Sequence, residues 1–322
     1  MRRDTREKIL TSAEKLGYRH NAAARAMRKG KFDALGLVVS DRSGRSIPMA
    51  GLLGGVMQWA RDAGRNVSIA EVPDEKLTSN EYMPRILREL AVDGMLMNYI
   101  SDVPGGVLDM IEQCRVPTVW INLKLEQDCI YPDDRGGAEA LTRYILSRGH
   151  RRVAYVHARS VQGTRDRHPH YSEEDRQAGY VAAMIDAGLR ADVREIDADP
   201  STQSIFSDDG RMSSLAEMLR RPDRPTACIC YSDATAIPLL AAAWQLGLNV
   251  PRDLSIASFR DKVPSGVGVE ISSMQTSFRK IGFRGSEILA EKIECPETVV
   301  PGQAWKYRLV AGQTVGPAPS SG

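Results

Sequence analysis

No stretch of the 322-residue sequence is apolar and long enough to span a bilayer, and its start lacks the charged segment, apolar core and small-residue cleavage site of a secretory leader. No membrane partner is expected. Cysteine is scarce: five residues without framework spacing, an odd count that fits a reducing cytoplasm better than a disulfide scaffold. Cys228 and Cys230 alternate on an apolar segment and so share one face of a strand. No His or acidic pair stands at ligand spacing beside them, so burial is expected there and a metal is not. Enzyme signatures are missing as well, with no GxxxxGK(S/T) phosphate loop, no HExxH and no GxSxG turn. Catalysis is therefore not expected, and no cofactor is implied. The tail after Thr314, VGPAPSSG, holds no leucine heptads and has the composition of a disordered segment.

What is present is enough chain for one large or two medium domains, and a charge asymmetry hidden under a net charge of +2. Residues 1–31 hold ten Lys and Arg against three acids, so this arm carries +7 and the rest of the chain −5. A basic arm on a mildly acidic body suits a segment that contacts phosphates beside a separate domain; a solvated basic helix is the alternative.

Thr5 to Gly17 has helical spacing, with Ile9, Ala13 and Leu16 on one face, Asp4 or Thr5 as N-cap and Gly17 as stop. A short helix follows from Asn21 to Arg28, after the turn Tyr18-Arg19-His20. From Phe32 the chain alternates. Strands are predicted at Ala34 to Ser40, Asn66 to Glu71, Gly94 to Tyr99, Thr118 to Leu123, Arg152 to His157, Val193 to Asp197, Ala227 to Tyr231 and Leu254 to Ser258. Helices fall between them at Ile47 to Ala63, Ser79 to Leu90, Gly105 to Gln113, Ala138 to Ser147, Glu173 to Ala187, Arg211 to Leu219 and Ala234 to Leu246. This alternation predicts an α/β protein with parallel sheets covered on both faces, in two Rossmann-like lobes. Ligands in such sheets bind beyond the carboxyl ends of the strands.

Several motifs share one order. TREKI…LGYRHNAAARAMRKGK is followed by ALGLVVSD, then DDRGGAEALTRYILSRGHRRVAYV, DRQAGYVAAM, PTACICYSDATAIPLLAAAWQLGLNVPRDLSIASF and MQTSFRKIG. Over nearly its whole length the chain resembles the lactose repressor (LacI/GalR) family of bacterial transcription regulators. The resemblance implies two lobes of periplasmic-binding-protein type, preceded by part of a helical DNA-binding headpiece and a hinge helix. The implied domains are residues 1–31 (headpiece and hinge), 32–132 with 274–294 (N-terminal lobe), and 133–273 with 295–322 (C-terminal lobe). Crossings between lobes are expected near Pro132, Met274 and Glu294. Family members open with two further helices whose second reads the major groove. Met1-Arg2-Arg3 falls after that unit, through an upstream start, a shortened sequence or loss of the reader.

By the same resemblance, Tyr18, Asn21, Arg25, Met27 and Arg28 would contact DNA. An isolated helix as short as Asn21 to Arg28 is unstable, so it should fold when paired with its symmetry mate on an operator. Met27 stands where the family carries a leucine that wedges into the minor groove. Ala23, Ala24 and Ala26 allow close approach. A plain Ala-rich connector is the bland alternative.

For a small polar effector the resemblance points to a cleft lined by Asp41, Ser43, Asn122, Arg176, Phe206, Ser232, Asp233 and Arg260. Arg176 takes the place of an arginine that forks onto effector oxygens. Ser232-Asp233 stands where Asn-Asp is usual. The main departure is Ser258-Phe259-Arg260-Asp261, because the family often has an acceptor for sugar hydroxyls where this chain has Arg260, which only donates. An anionic sugar derivative is then favoured, unless Arg260 turns outward or pairs with Asp261 or Asp233. The segment from Ala158 to Ser172 adds Arg and His residues; His168 and His170 lack further ligands for a metal. The overall expectation is a cytoplasmic, homodimeric, ligand-responsive regulator, a repressor, with operator DNA (through a complete headpiece) and a sugar or sugar acid as partners. A small-molecule binding protein of the same fold without DNA activity, cytoplasmic or exported, is the alternative.

Overall fold

The computed structural model describes residues 5, 11, 12, 15, 30–42, 46, 50–99, 103–160, 170–198, 211–261 and 268–319. In the basic arm Thr5, Thr11, Ser12 and Lys15 are helical and exposed. Tyr18, Asn21, Arg25, Met27 and Arg28 lie outside the described residues, as do Ser43 and Phe206.

The run ALGLVVS forms β1 (Ala34–Ser40), buried at all seven positions because it lies inside a sheet with both faces covered. It pairs in parallel with β2 (Asn66–Val72) and β3 (Gly94–Asn98). β2 is the sheet edge, and its burial alternates accordingly. β4 (Thr118–Ile121) and β5 (Cys129–Pro132) extend the sheet on the far side of β3. The second sheet is built around β6 (Val153–Ser160), β7 (Asp192–Ala198), β8 (Ala227–Cys230), β9 (Ser255–Asp261) and β10 (Ser272–Thr276), all parallel. Two short late strands close the sheets: β11 (Gln303–Trp305) lies parallel to β5, and β12 (Arg308–Val310) antiparallel to β10.

Helices cover both faces of each sheet. In the first lobe α1 (Ala50–Asp62) and the later α7 (Phe278–Glu294) bury Leu52, Val56, Ile281 and Leu289 against Leu35, Leu37, Leu96 and Ile121. The opposite face holds α2 (Val107–Gln113) and packs Val107 with Val38, Met95, Met97 and Trp120. In the second lobe α3 (Asp134–Ser147) and α4 (Tyr171–Asp186) cover one face, with Leu141 and Tyr180 against Tyr155, Ile229 and Phe259. α5 (Arg211–Arg220) and α6 (Asp233–Gln245) cover the other, with Leu215 and Leu239 against Val156, Cys228, Cys230 and Ile256. Each fully buried side chain of this kind stabilises the fold by about 1.5–3 kcal/mol before chain entropy is counted. The same device brings one helix pair together in each lobe. A Cβ on Gly55 of α1 would stand 1.9 Å from the Arg279 carbonyl of α7, and one on Gly179 of α4 would stand 2.3 Å from the Arg135 carbonyl of α3.

Four expectations need correction. The tail after Thr314 is ordered as far as residue 319, since Gly316 donates its amide to Ser255 Oγ and Ala318 donates to the Arg148 carbonyl. The helix expected over Ser79 to Leu90 is broken into short turns at Met83–Arg85 and Ile86–Glu89, since Pro84 has no N–H to continue a regular helix. Met274 lies within β10 of the second sheet, so that crossing comes after Thr276, at Ser277. The third crossing is not near Glu294: the chain stays with the first lobe through β11 because Asp128 donates to the Val300 carbonyl and Gly302 to the Glu126 carbonyl. It passes to the second sheet only between Trp305 and Arg308, so 295–305 belongs with the first lobe.

Candidate functional site

The carboxyl end of β8, Phe259 of β9, and the first and third crossings converge on Arg176 of α4. The Arg176 side chain is 13% exposed, and its Nε donates to Asp134 Oδ1 at 2.6 Å. One terminal nitrogen donates to the Tyr231 carbonyl at 2.6 Å and the other to the Tyr307 hydroxyl at 3.0 Å. The Tyr307 hydroxyl in turn donates to the same Asp134 oxygen at 2.8 Å, which closes a three-residue ring. The Arg176 Cζ lies 4.6 Å from the Tyr231 ring centroid and 4.5 Å from that of Phe259, within cation–π range. A guanidinium has five N–H groups, so these bonds leave one on each terminal nitrogen. Burial alone lowers the Arg176 pKa, but Tyr307, Asp134 and Tyr231 together raise it above the ordinary value, and the group stays charged. Burial likewise pushes the Tyr307 hydroxyl up, so it stays protonated and able to donate.

A second chain of contacts joins the lobes. Ser172 donates its backbone N–H to His170 Nδ1, which caps α4 and makes Nδ1 an acceptor. His170 Nε2 is then the donor to the Asn122 carbonyl at 3.0 Å. Ser172 Oγ lies 2.8 Å from the Tyr231 hydroxyl. Asn122 ends β4 in the left-handed region at φ 62°, which Asn tolerates better than most residues, and it is buried. On the surface of the same seam Lys124 meets Asp175 at 2.7 Å.

Asp233 opens α6 just after Ser232, the helix N-cap, and receives the Ser258 hydroxyl. Arg260 Nε lies 3.3 Å from Asp233, and the Arg260 side chain is only 6% exposed. The cation that replaces the family's usual acceptor is therefore paired, and the expected bias of the cleft toward an anion loses its main support. Asp261 turns the other way, accepting the Phe278 amide at 3.3 Å across the second crossing.

Asp41 is exposed at the end of β1. The buried carboxylate at this edge is instead Asp74, which accepts from Ser40 Oγ at 2.9 Å and from Tyr99 at 2.7 Å. His170 thus ties Asn122 to the start of α4, the helix that carries Arg176, while Asp233 and Arg260 pair within the second lobe, Ser232 follows Tyr231 in the chain, and Asp41 is joined to none of them by these contacts. Sequence reasoning missed Asp134, Tyr231, Tyr307 and Asp74, and named His170 only as one of the Arg and His residues of the Ala158 to Ser172 segment. Asp134 had a signal: in Asp133-Asp134-Arg135-Gly136-Gly137 the first acid caps α3 by accepting the Gly136 amide, which leaves the second to turn inward. Tyr307 had none, standing 131 residues from the arginine it touches.

Known proteins share this fold. Residues 142–315 match the periplasmic binding protein-like domain family. The HTH-type transcriptional repressor PurR of Photobacterium profundum is 24% identical over 297 residues, covering 90% of this chain and 83% of that protein. The probable HTH-type transcriptional repressor ExuR of Bacillus subtilis is 25% identical, covering 91% and 84%. The solved lac repressor dimer, bound to operator and the anti-inducer ONPF, superposes with a TM-score of 0.74 at 18% identity, over 97% of this chain and 90% of that one. Matched through more than half its length, with repressors of one type aligned along almost all of it, this chain belongs to the periplasmic binding protein-like domain family as a regulator of the lactose repressor (LacI/GalR) type.

Proposed function

We propose that the protein is a cytoplasmic, homodimeric repressor that binds operator DNA through a complete headpiece, to which its basic arm belongs, and responds to a small polar effector held between the lobes. The observation that carries the reading is the Arg176 cluster: a charged fork with two uncommitted N–H groups, fixed at the carboxyl ends of two parallel sheets. Asn122, Ser232 and Asp233 are the proposed partners for effector hydroxyls, with Asp41, Ser43 and Phe206 as further cleft residues. Tyr18, Asn21, Arg25, Met27 and Arg28 are the proposed DNA contacts. Similar proteins are repressors by name, and one was solved with operator. Arg176 and Arg260 are matched by Asp134 and Asp233, so a neutral, hydroxyl-rich molecule suits the cleft better than the anion anticipated from Arg260 alone. An effector that prefers one arrangement of the lobes shifts DNA affinity by its difference in affinity for the two states.

The test has two arms. Neutral sugars, uronic acids and sugar phosphates are compared for their ability to raise the melting temperature, and genomic fragments are captured on the protein at several salt concentrations. A neutral sugar should stabilise the protein and change salt-sensitive retention of fragments carrying a palindrome. Stabilisation by a sugar phosphate alone would reverse the charge assignment. Sugar binding with no retention of DNA at any salt concentration would identify a binding protein without regulatory contact to DNA.

A further inference from the structure

The Arg176 ring draws its two side-chain partners from segments that cross between the lobes. Asp134 is two residues beyond the end of β5, where the chain leaves the first sheet. Tyr307 lies between β11 of the first sheet and β12 of the second. These crossings are also bonded to each other, since the Asp133 amide donates to the Trp305 carbonyl at 2.9 Å. The Tyr307 ring is held from two sides. It meets Phe259 edge-on at 5.6 Å between centroids, and it presses on α3 where Gly137 has no side chain, a Cβ there falling 2.8 Å from the ring. Its hydroxyl both accepts from Arg176 and donates to Asp134, so its orientation is fixed at each end.

We infer that Tyr307 and Asp134 are the positioning residues of Arg176, and that through them the guanidinium is anchored to the first and third crossings. The inference rests on Arg176 being the effector fork. It adds a route by which a bound molecule acts on the hinge. A ligand oxygen that draws on the terminal nitrogens competes with Tyr307, and any displacement of Tyr307 is a displacement of the third crossing itself. Tyr231 supplies its backbone carbonyl and its ring from the end of β8, so it fixes Arg176 to the second lobe and not to either crossing.

The test reads the ligand-free protein. In a 15N-arginine-labelled sample, a clamped Arg176 gives resolved, slowly exchanging terminal N–H signals, assigned by their loss in Arg176→Lys. Tyr307→Phe keeps the ring and removes the hydroxyl, so the signals should average in a protein that melts lower but stays folded. Asp134→Asn, close in shape, should average them as well and serves if the first variant fails to fold. In Arg176→Lys the Asp133 amide should exchange with deuterium about tenfold faster than in the parent, because its crossing has lost a tether. Signals already averaged in the parent, or unchanged in both variants, overturn the clamp; unchanged exchange at Asp133 overturns the link to the hinge. Neither readout needs an effector or DNA. Failure of DNA and sugar binding with a resolved Arg176 would sink the regulator reading alone, and averaged signals with both bindings intact would sink the clamp alone.

Discussion

Each lobe buries one carboxylate where its sheet meets the cleft, and the two are satisfied in opposite ways. Asp74 of the first lobe accepts from the hydroxyls of Ser40 and Tyr99, with Arg42 3.6 Å away and more than half exposed. Asp134 of the second lobe accepts from a buried arginine and from a tyrosine that also holds that arginine. Neutral donors let Asp74 lose a partner and keep the rest. Asp134 and Arg176 depend on each other, because removing either leaves a charge in a place water hardly reaches. The first arrangement suits a wall and the second a moving part, in which a change at one residue is felt by all.

The largest effect should therefore come from cutting the second-lobe pair. Arg176→Met is expected to cost about 3–5 kcal/mol, since it strands a buried carboxylate, and the double variant Arg176→Met/Asp134→Leu should recover a large part of that loss. Urea unfolding of the three proteins measures it. The matching change in the first lobe, Arg42→Met, should leave the urea midpoint where it was, because solvent screens that guanidinium and the hydroxyls remain. Equal losses at the two sites would erase the contrast.

A smaller effect separates the helix pairs. Gly55→Ala and Gly179→Ala each place a methyl against a backbone carbonyl, at 1.9 and 2.3 Å, so both should destabilise, by about 1–3 kcal/mol or more, with Gly55→Ala the worse. α1 and α7 must part to admit it, and α7 follows the second crossing directly. Thermal unfolding of the pair ranks them, and a harmless Gly55→Ala would mean the helices shift freely. Tyr99→Phe comes next. It removes one of the neutral donors to Asp74 while keeping the ring against Trp120, for a loss of about 1–3 kcal/mol. A loss as large as that of Arg176→Met would show that Asp74 is as dependent on one partner as Asp134.

The same contrast explains what the sequence made legible. Continuous apolar runs such as ALGLVVS, GMLMN and ACIC announce buried parallel strands, and each is buried throughout. β5 and β11 are four and three residues long, too short for any period, and exist because they pair with each other across 173 positions of chain. The site divides in the same way. Arg176 and Ser232-Asp233 sit in local motifs that can be singled out, but the carboxylate partner of Arg260 is 27 residues away and that of Arg176 is 42 residues away. Which of several nearby acids pairs with an arginine depends on how the sheets pack, and residue spacing holds no record of that. The pairing of Arg260 with Asp233 is of this kind.

The smallest predicted effect depends on pH and should fall on one lobe. From Phe32 to Pro132 the first lobe contains no histidine, whereas the second has His150 at its base, fully buried, with Nδ1 2.9 Å from Thr226 Oγ1 and Nε2 3.2 Å from the Gly316 carbonyl. Burial lowers its pKa below the ordinary 6.5, and the Gly316 carbonyl only partly opposes this. The folded state therefore holds His150 neutral at a pH where the unfolded chain has begun to bind a proton. Its contribution to stability is complete above the unfolded value and is lost as pH falls through 6.5 toward the lower folded value. Moving from about pH 7.5 to about pH 5.5 should lower the urea midpoint of the parent, and by less in His150→Gln, which keeps a polar side chain in the cavity. Deuterium exchange, corrected for its intrinsic dependence on pH, should show the loosening along β6, β8 and the 311–318 segment that packs on them, with β1 and β3 unchanged. A midpoint equally acid-sensitive in parent and variant would assign the effect elsewhere, and loosening of β1 alongside β6 would show that the two lobes unfold as one unit.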